Sequence, residues 1–282
     1  MSEETLQPTP VKVPRASSWW RVLLMALGLY FLGIALLVLT GNPNLFPTVV
    51  IVGSFMVPVA YVFFFYERRQ LSQVTMPTTT MTFFYGGLLG VFAASILEPL
   101  LIHGQTLPAA FVVGLVEEFV KILGVLVIAR RRRHDSELDG LVLGAAAGMG
   151  FAAFESVGYA FTAFLRSGGS LSATVVVTLV RALASPVGHG TWTAILTSIL
   201  FRESDARGYH FDLKVLGAYL LVVILHGLWD GIPIVISELP LPGLDVFIGQ
   251  LVVGVLSLFI LGLRWREARR LQLARSEASP EA

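Results

Sequence analysis

The stretch PAAFVVGLVEEFVKILGVLVIA, residues 108–129, is the most informative segment of this chain. It is long enough to cross a bilayer as an α-helix, which takes about 20 apolar residues. It nevertheless carries Glu117, Glu118 and Lys121 near its middle. An ionisable side chain at the bilayer centre costs roughly 2.5 to 3.5 kcal/mol on insertion scales, so such residues usually face a protein interior and serve a function. The stretch therefore predicts a membrane-spanning helix beside a polar interior.

The rest of the chain has the composition of a membrane protein. Hydrophobic residues make up 55% of the 282 residues, charged residues only 14%, and the mean hydropathy is +0.75. A soluble domain usually carries about 25% charged residues. We therefore predict an all-α fold, a polytopic bundle of about eight transmembrane helices. The predicted spans are residues 19–40, 46–66, 80–101, 108–129, 138–165, 173–201, 212–236 and 244–264.

These spans form a single predicted transmembrane domain, residues 19–264, whose catalytic core we place at residues 108–236. Residues 1–18 and 265–282 are predicted to be cytoplasmic tails. Outside the spans, every Lys and Arg except Arg166 falls on the side of the two termini. The positive-inside rule makes that side cytoplasmic. We expect a multi-pass protein of the cell's inner (plasma) membrane.

Several classes of partner and chemistry are excluded or disfavoured. The basic run 130–133 directly follows a span and is best explained as a topology anchor. The net charge of +1 gives no support for a nucleic-acid partner. Because the chain has no cysteine, disulfides, thiolate metal ligands and a cysteine nucleophile are excluded. The expected partners are the lipid bilayer and a membrane-anchored protein, and the oligomeric state stays open.

Further polar residues lie at one predicted depth in the next three spans. A helix rises about 1.5 Å per residue, so counting from the span ends gives the depth. Glu155, His189 and His226 all come out at or slightly outside the midplane, level with the two glutamates of the fourth span. Such convergence from four helices predicts a common polar chamber.

Local spacing adds geometry to this chamber. Residues four apart share a helix face, which pairs Glu117 with Lys121, Phe151 with Glu155, and His226 with Asp230. Two purely structural explanations remain open at this point. The Glu–Lys pair could only join helices, and the histidines could be buried core residues whose ring nitrogens are hydrogen-bonded.

Two features of the neighbouring spans concern packing. Gly140, Gly144 and Gly148 form a ridge of small residues, which favours close approach of another helix. Pro186 is expected to kink the sixth span just before His189. Arg181 is expected either to pair with Glu98 or Glu155 or to extend toward the interface.

The four polar motifs together resemble a known family. The chain lacks a His-Glu-x-x-His zinc helix, and neither a Gly-x-Ser-Gly nucleophile nor an Asp dyad is found. What it has is Glu-Glu-x-x-Lys, Phe-x-x-x-Glu, an isolated His and His-x-x-x-Asp on successive spans. This order and spacing resemble the PrsW family of membrane proteases, which is related to the CAAX prenyl endopeptidases and bacteriocin-processing proteins. Lys121 and Glu155 favour the PrsW branch.

The resemblance implies site-1-type cleavage of a membrane-anchored protein, with anti-sigma factors as the best-known substrate class. It implies catalytic roles for Glu117, Glu118, Glu155, His189, His226 and Asp230, while Lys121 and Phe151 are expected to support them. We expect a glutamic-type hydrolase without a cofactor, in which Glu117 activates a water and His226 stabilises the oxyanion.

Two alternatives stay open on sequence alone. The same hydrolase with Zn²⁺ would use Glu155, His189, His226 and Asp230 as ligands. A non-enzymatic ion or proton transporter would use the same acids and histidines as a relay. The substrate and its cleavage site are not identified by the sequence.

Overall fold

The computed structural model describes residues 18–69, 71–130, 136–205, 208–237 and 244–278. These residues form ten α-helices, a π-helical turn and a 3₁₀ turn, and among them there is no β-strand. The predicted all-α fold is confirmed. The helices are α1 (Trp19–Thr40), α2 (Leu45–Glu67), α3 (Met76–Met81), α4 (Gly87–Leu101), α5 (Leu107–Ala129), α6 (Glu137–Arg166), α7 (Leu171–Ala184), α8 (His189–Arg202), α9 (Leu213–Ser237) and α10 (Leu244–Ala278).

In the described part of the chain, seven helical segments are long and apolar enough to cross a membrane. One of them joins α3 to α4 through the π-helical turn Thr82–Gly86, and another joins α7 to α8. The remaining predicted span is α5, which has the required length but carries three charged residues near its middle. The eight predicted spans thus correspond to eight helical segments, of which α5 is distinguished by three charged residues close together in its apolar stretch.

Helix α6 lies at the centre of the bundle and packs against α2, α4, α7 and α8. The predicted glycine ridge faces α8. A Cβ atom at Gly140 or Gly144 would lie 2.5 Å from the carbonyl oxygen of Thr197 or Thr193, respectively, and Gly148 is similarly close to the backbone of His189. The contacts recur every four residues on both helices, so the ridge fixes the antiparallel register of α6 and α8.

The kink predicted in the sixth span is present, and it is a full interruption of the helix. Helix α7 ends at Ala184, Ser185–Val187 form a 3₁₀ turn, and α8 begins at His189. Pro186 lies inside this turn, where it has no helical N–H to donate. The interruption places His189 on the first residue of a helix.

The last helix continues past the predicted end of the eighth span at residue 264, and the structure describes it as far as Ala278. Arg264 donates to Glu137 at the start of α6 (2.8 Å), and Arg202 at the end of α8 pairs with Glu267 (3.2 Å). Residues 265–278, which we predicted as a tail, therefore belong to a helix that is tied to α6 and α8.

Candidate active site

Helix α5 supplies a buried ionic cluster. The Lys121 ammonium donates to Glu117 Oε2 (2.9 Å) and to Glu118 Oε1 (2.8 Å), and all three side chains are buried. Its third contact is His189 Nδ1, 2.7 Å away. An ammonium group has three N–H donors, so these three partners use its full capacity. Lys121 thereby holds two carboxylates and one imidazole around a single charge.

Phe151 of α6 completes the surroundings of this ammonium. The Lys121 Nζ atom lies 4.2 Å from the centroid of the Phe151 ring, which is the geometry of a cation–π contact. The ring also lies 5.4 Å from that of His189. Phe151 is buried and supports the cluster from behind.

His226 connects α9 to α5. Its Nδ1 atom lies 3.0 Å from Glu118 Oε1, and its Nε2 atom lies 3.2 Å from Asp230 Oδ2 and 3.7 Å from Glu117 Oε2. Glu118 Oε2 accepts a further hydrogen bond from Thr193 (3.2 Å). Since both ring nitrogens face carboxylate oxygens, the doubly protonated imidazolium is the form that can donate to both.

His189 links the ionic cluster to α6. Because its Nδ1 atom accepts from Lys121, its Nε2 atom carries the proton and faces Glu155 Oε2 at 3.2 Å. Glu155 in turn accepts from Arg181 Nη2 (2.6 Å). The guanidinium group also donates to Ser156 and lies 3.9 Å from the Tyr159 ring. Of the two partners expected for Arg181, the structure pairs it with Glu155.

A cavity of about 410 Å³ opens onto these groups. It lies between α4, α5, α6, α9 and the interruption that separates α7 from α8. The predicted site residues on its wall are Glu117, Glu155, His189, His226 and Asp230.

The other three predicted residues lie behind the wall and do not line the cavity. Glu118 and Lys121 are fully buried, and Phe151 is 1% exposed. Asp230, in contrast, has 38% of its side chain exposed. The structure therefore brings all eight predicted residues together and separates them into a chamber wall and a buried support.

Some residues of the chamber were not predicted to belong to the site. Trp192, Tyr159 and Glu98 line the cavity, and one carboxylate oxygen of Glu98 is buried without a hydrogen-bond partner. Glu98 could have been found with the rule that singled out the other acids, because it is an ionisable residue within an apolar span. Trp192 and Tyr159 gave no signal beyond that of ordinary core aromatics.

Three side chains of the described residues are close enough to share a metal ion. The ligand atoms of Glu117, His189 and His226 all lie within 4.8 Å of one another. The grouping differs from the predicted zinc set, because Glu117 joins the two histidines while Glu155 and Asp230 each contact one of them. One carboxylate and two imidazoles match the donor chemistry of a catalytic zinc site.

The bundle and its chamber are those of a polytopic membrane protein with carboxyl and imidazole groups gathered inside it. A family model described as PrsW family intramembrane metalloprotease matches residues 75–261. The chain belongs to this family, and it is therefore a membrane protease. The match extends beyond the four motif-bearing spans to the third span and most of the eighth. Searches of the curated proteins and of the solved structures found no match.

Proposed function

We propose that the protein is an intramembrane endopeptidase of the plasma membrane that hydrolyses a peptide bond of a membrane-anchored protein. The family resemblance makes a membrane-anchored anti-sigma factor the model substrate. The observation that carries the proposal is the convergence of Glu117, His189 and His226 on one part of the chamber wall. A water held there would contact a carboxylate and two imidazoles at once, which is the equipment of general acid–base hydrolysis.

In the proposed reaction Glu117 accepts a proton from this water. His189 assists by sharing the Lys121 ammonium with Glu117, since its Nδ1 atom and Glu117 Oε2, 3.6 Å apart, both accept from that group. The water oxygen forms a bond to the peptide carbonyl carbon, and the carbonyl oxygen becomes an oxyanion. The Nε2–H of His226, which faces Asp230 at 3.2 Å in the structure, is donated to that oxyanion instead, a contribution of about 3 kcal/mol for one such donor. Glu117 then returns the proton to the amine as the C–N bond breaks.

The remaining residues support these groups. Lys121 and Glu118 fix Glu117 and His226 through the buried contacts of α5. Glu155, held by Arg181, orients His189 and presents a carboxylate to the water or the substrate. Asp230 holds the Nε2 side of His226.

A zinc-dependent version is the second candidate, and the three-residue cluster together with the family description favours it. Glu117, His189 and His226 would hold the ion, which supplies a Lewis acid for the water and the carbonyl. Glu118 would orient His226 by accepting its Nδ1–H, as carboxylates beside metal-binding histidines do. Glu155 would then be the carboxylate that takes the water's proton.

The net charge of the site favours a bound metal ion, whereas the position of Lys121 favours the metal-free reaction. The chamber and its support hold more carboxyl groups than cations, which favours a bound cation. Lys121, however, already donates to Glu117 and to His189 Nδ1, so its charge would lie close to an ion held by those two residues. We therefore retain the metal-free reaction as the principal proposal. The groups counted are Glu98, Glu117, Glu118, Glu155 and Asp230 against Lys121, Arg181 and the His226 imidazolium.

The proposal is tested by comparing the N-termini of membrane proteins in cells that express the wild type or Glu117→Gln. We expect new N-termini near transmembrane segments only with the wild type. Glu203→Gln is the matched control, because this acid lies past the opposite end of α8 from His189. Identical profiles for wild type and Glu117→Gln, with both proteins abundant, would contradict the proposal and favour ion transport.

A further inference from the structure

Trp192 contacts both chamber histidines and is itself fully buried. Its ring stacks on that of His226, with 4.7 Å between centroids and 30° between planes. It meets His189 edge to face at 5.6 Å and 80°. The two histidine rings are 5.1 Å apart. One aromatic side chain therefore touches both imidazoles of the site.

The polar partners of His226 leave one rotation of its ring undetermined. The hydrogen bond at Nδ1 to Glu118 and the 3.2 Å ionic contact of Nε2 with Asp230 fix the position of each nitrogen. They do not prevent the ring from tilting about the line that joins the two nitrogens. A flat group packed against the ring face prevents that tilt, and Trp192 is such a group.

The Trp192 ring is in turn anchored to the last helix. Its indole N–H donates to Ser257 Oγ at 2.9 Å, and the Ser257 hydroxyl donates to the carbonyl of Val253 at 2.8 Å. The Ser257 hydroxyl thus donates its proton to a carbonyl of α10 and accepts the indole N–H of Trp192 with a lone pair. The indole N–H therefore has a fixed acceptor. Ser257 is fully buried, as Trp192 is.

We infer that Trp192 is a positioning residue that sets the tilt of His226 and its angle to His189, and that Ser257 is its anchor. Helix α10 thereby contributes to the active site although its sequence contains no recognisable motif. The inference rests on the proposed function where it concerns turnover. The orientation of the two histidine rings can be tested whatever the protein cleaves.

The test uses protein labelled with ¹³C and ¹⁵N in histidine, of which the chain has five. The variants His189→Gln and His226→Gln identify the two chamber signals. In Ser257→Ala and in Trp192→Phe, we expect both chamber signals to move while the other three stay in place. Ser257→Thr keeps the hydroxyl and should restore the wild-type spectrum. Ser54→Ala is the control for nonspecific structural change, because it replaces a buried serine on a different helix, α2.

Turnover is measured on a substrate found by the comparison of N-termini. We expect kcat of Ser257→Ala to fall by about tenfold to a hundredfold with KM unchanged, because small misplacements of reacting groups have effects of that size. Unchanged chamber signals in both variants, or equal changes in all five histidines, would overturn the inference. If the wild type cleaves nothing, the proposed function fails while the spectra still decide the positioning role.

Discussion

His226 Nδ1 and Glu118 Oε1 lie 3.0 Å apart in a fully buried contact that joins α9 to α5. The same carboxylate oxygen accepts from Lys121, and the other oxygen accepts from Thr193 of α8. Glu118 therefore connects three helices at one point. It does so from behind the chamber wall, whereas Asp230 reaches His226 from within the chamber.

Glu118 and Asp230 both contact His226, and this arrangement predicts that replacing them has different effects on stability and on cleavage. Glu118→Ala should destabilise the protein by about 3–5 kcal/mol, because it leaves a buried ammonium and imidazole without their partner. Asp230→Asn should cost less than about 1 kcal/mol, since its side chain is partly exposed, and yet reduce cleavage. Thermal unfolding in detergent, compared with cleavage rates, distinguishes the two. Equal unfolding temperatures for both variants would contradict the assignment of Glu118 to the buried support.

The contacts within single helices could be predicted from the sequence, because helical geometry brings residues four apart together. Lys121 and Glu117 are 2.9 Å apart, and His226 and Asp230 are 3.2 Å apart, as that spacing requires. The length of the apolar runs likewise predicted the helices, and α5 carries charged residues in an apolar helix because it contributes part of the site.

Contacts between helices were beyond such prediction, because the sequence of one chain does not fix how each helix is rotated. The bond from His226 to Glu118, and the choice of Glu155 over Glu98 as the partner of Arg181, depend on those rotations. The position of Trp192 beside both histidines depends on them as well. The glycine ridge predicted a close packing face, but it did not specify that α8 would be the neighbour.

The ridge gives a second prediction, which concerns the distance between α6 and α8. In Gly144→Ala the added Cβ would lie 2.5 Å from the Thr193 carbonyl oxygen, so α8 and His189 must move away. We expect a loss of about 1–3 kcal/mol of stability and reduced cleavage. Gly158→Ala on the same helix meets nothing within 4 Å and should be neutral or slightly stabilising. A Gly144→Ala protein as stable and active as Gly158→Ala would contradict the packing argument.

Metal dependence gives a third prediction. Because Lys121 already neutralises part of the cluster, we expect cleavage to survive dialysis against a strong chelator. The purified wild type should contain no stoichiometric zinc by elemental analysis. Loss of activity on chelation, its return with Zn²⁺, and loss of bound zinc in Glu117→Gln and His189→Gln would instead establish the zinc-dependent version.

The orientation in the membrane gives a fourth prediction, for which the absence of cysteine is convenient. Single cysteines replace Ser167, in the turn after α6, and Lys214, whose side chain is 64% exposed at the start of α9. A membrane-impermeant thiol reagent applied to intact cells should label Ser167→Cys and spare Lys214→Cys until the membrane is opened. The reverse pattern would contradict the assignment of both termini to the cytoplasm.

The most direct test of the account is cleavage by the purified protein in liposomes, together with a membrane-anchored substrate found by the comparison of N-termini. We expect the wild type to cut this substrate at one bond and Glu117→Gln to leave it intact, although thermal unfolding shows that both are folded. Cleavage by Glu117→Gln at the wild-type rate would contradict the central claim. So would a wild-type protein that is folded, reconstituted and inactive on every such substrate.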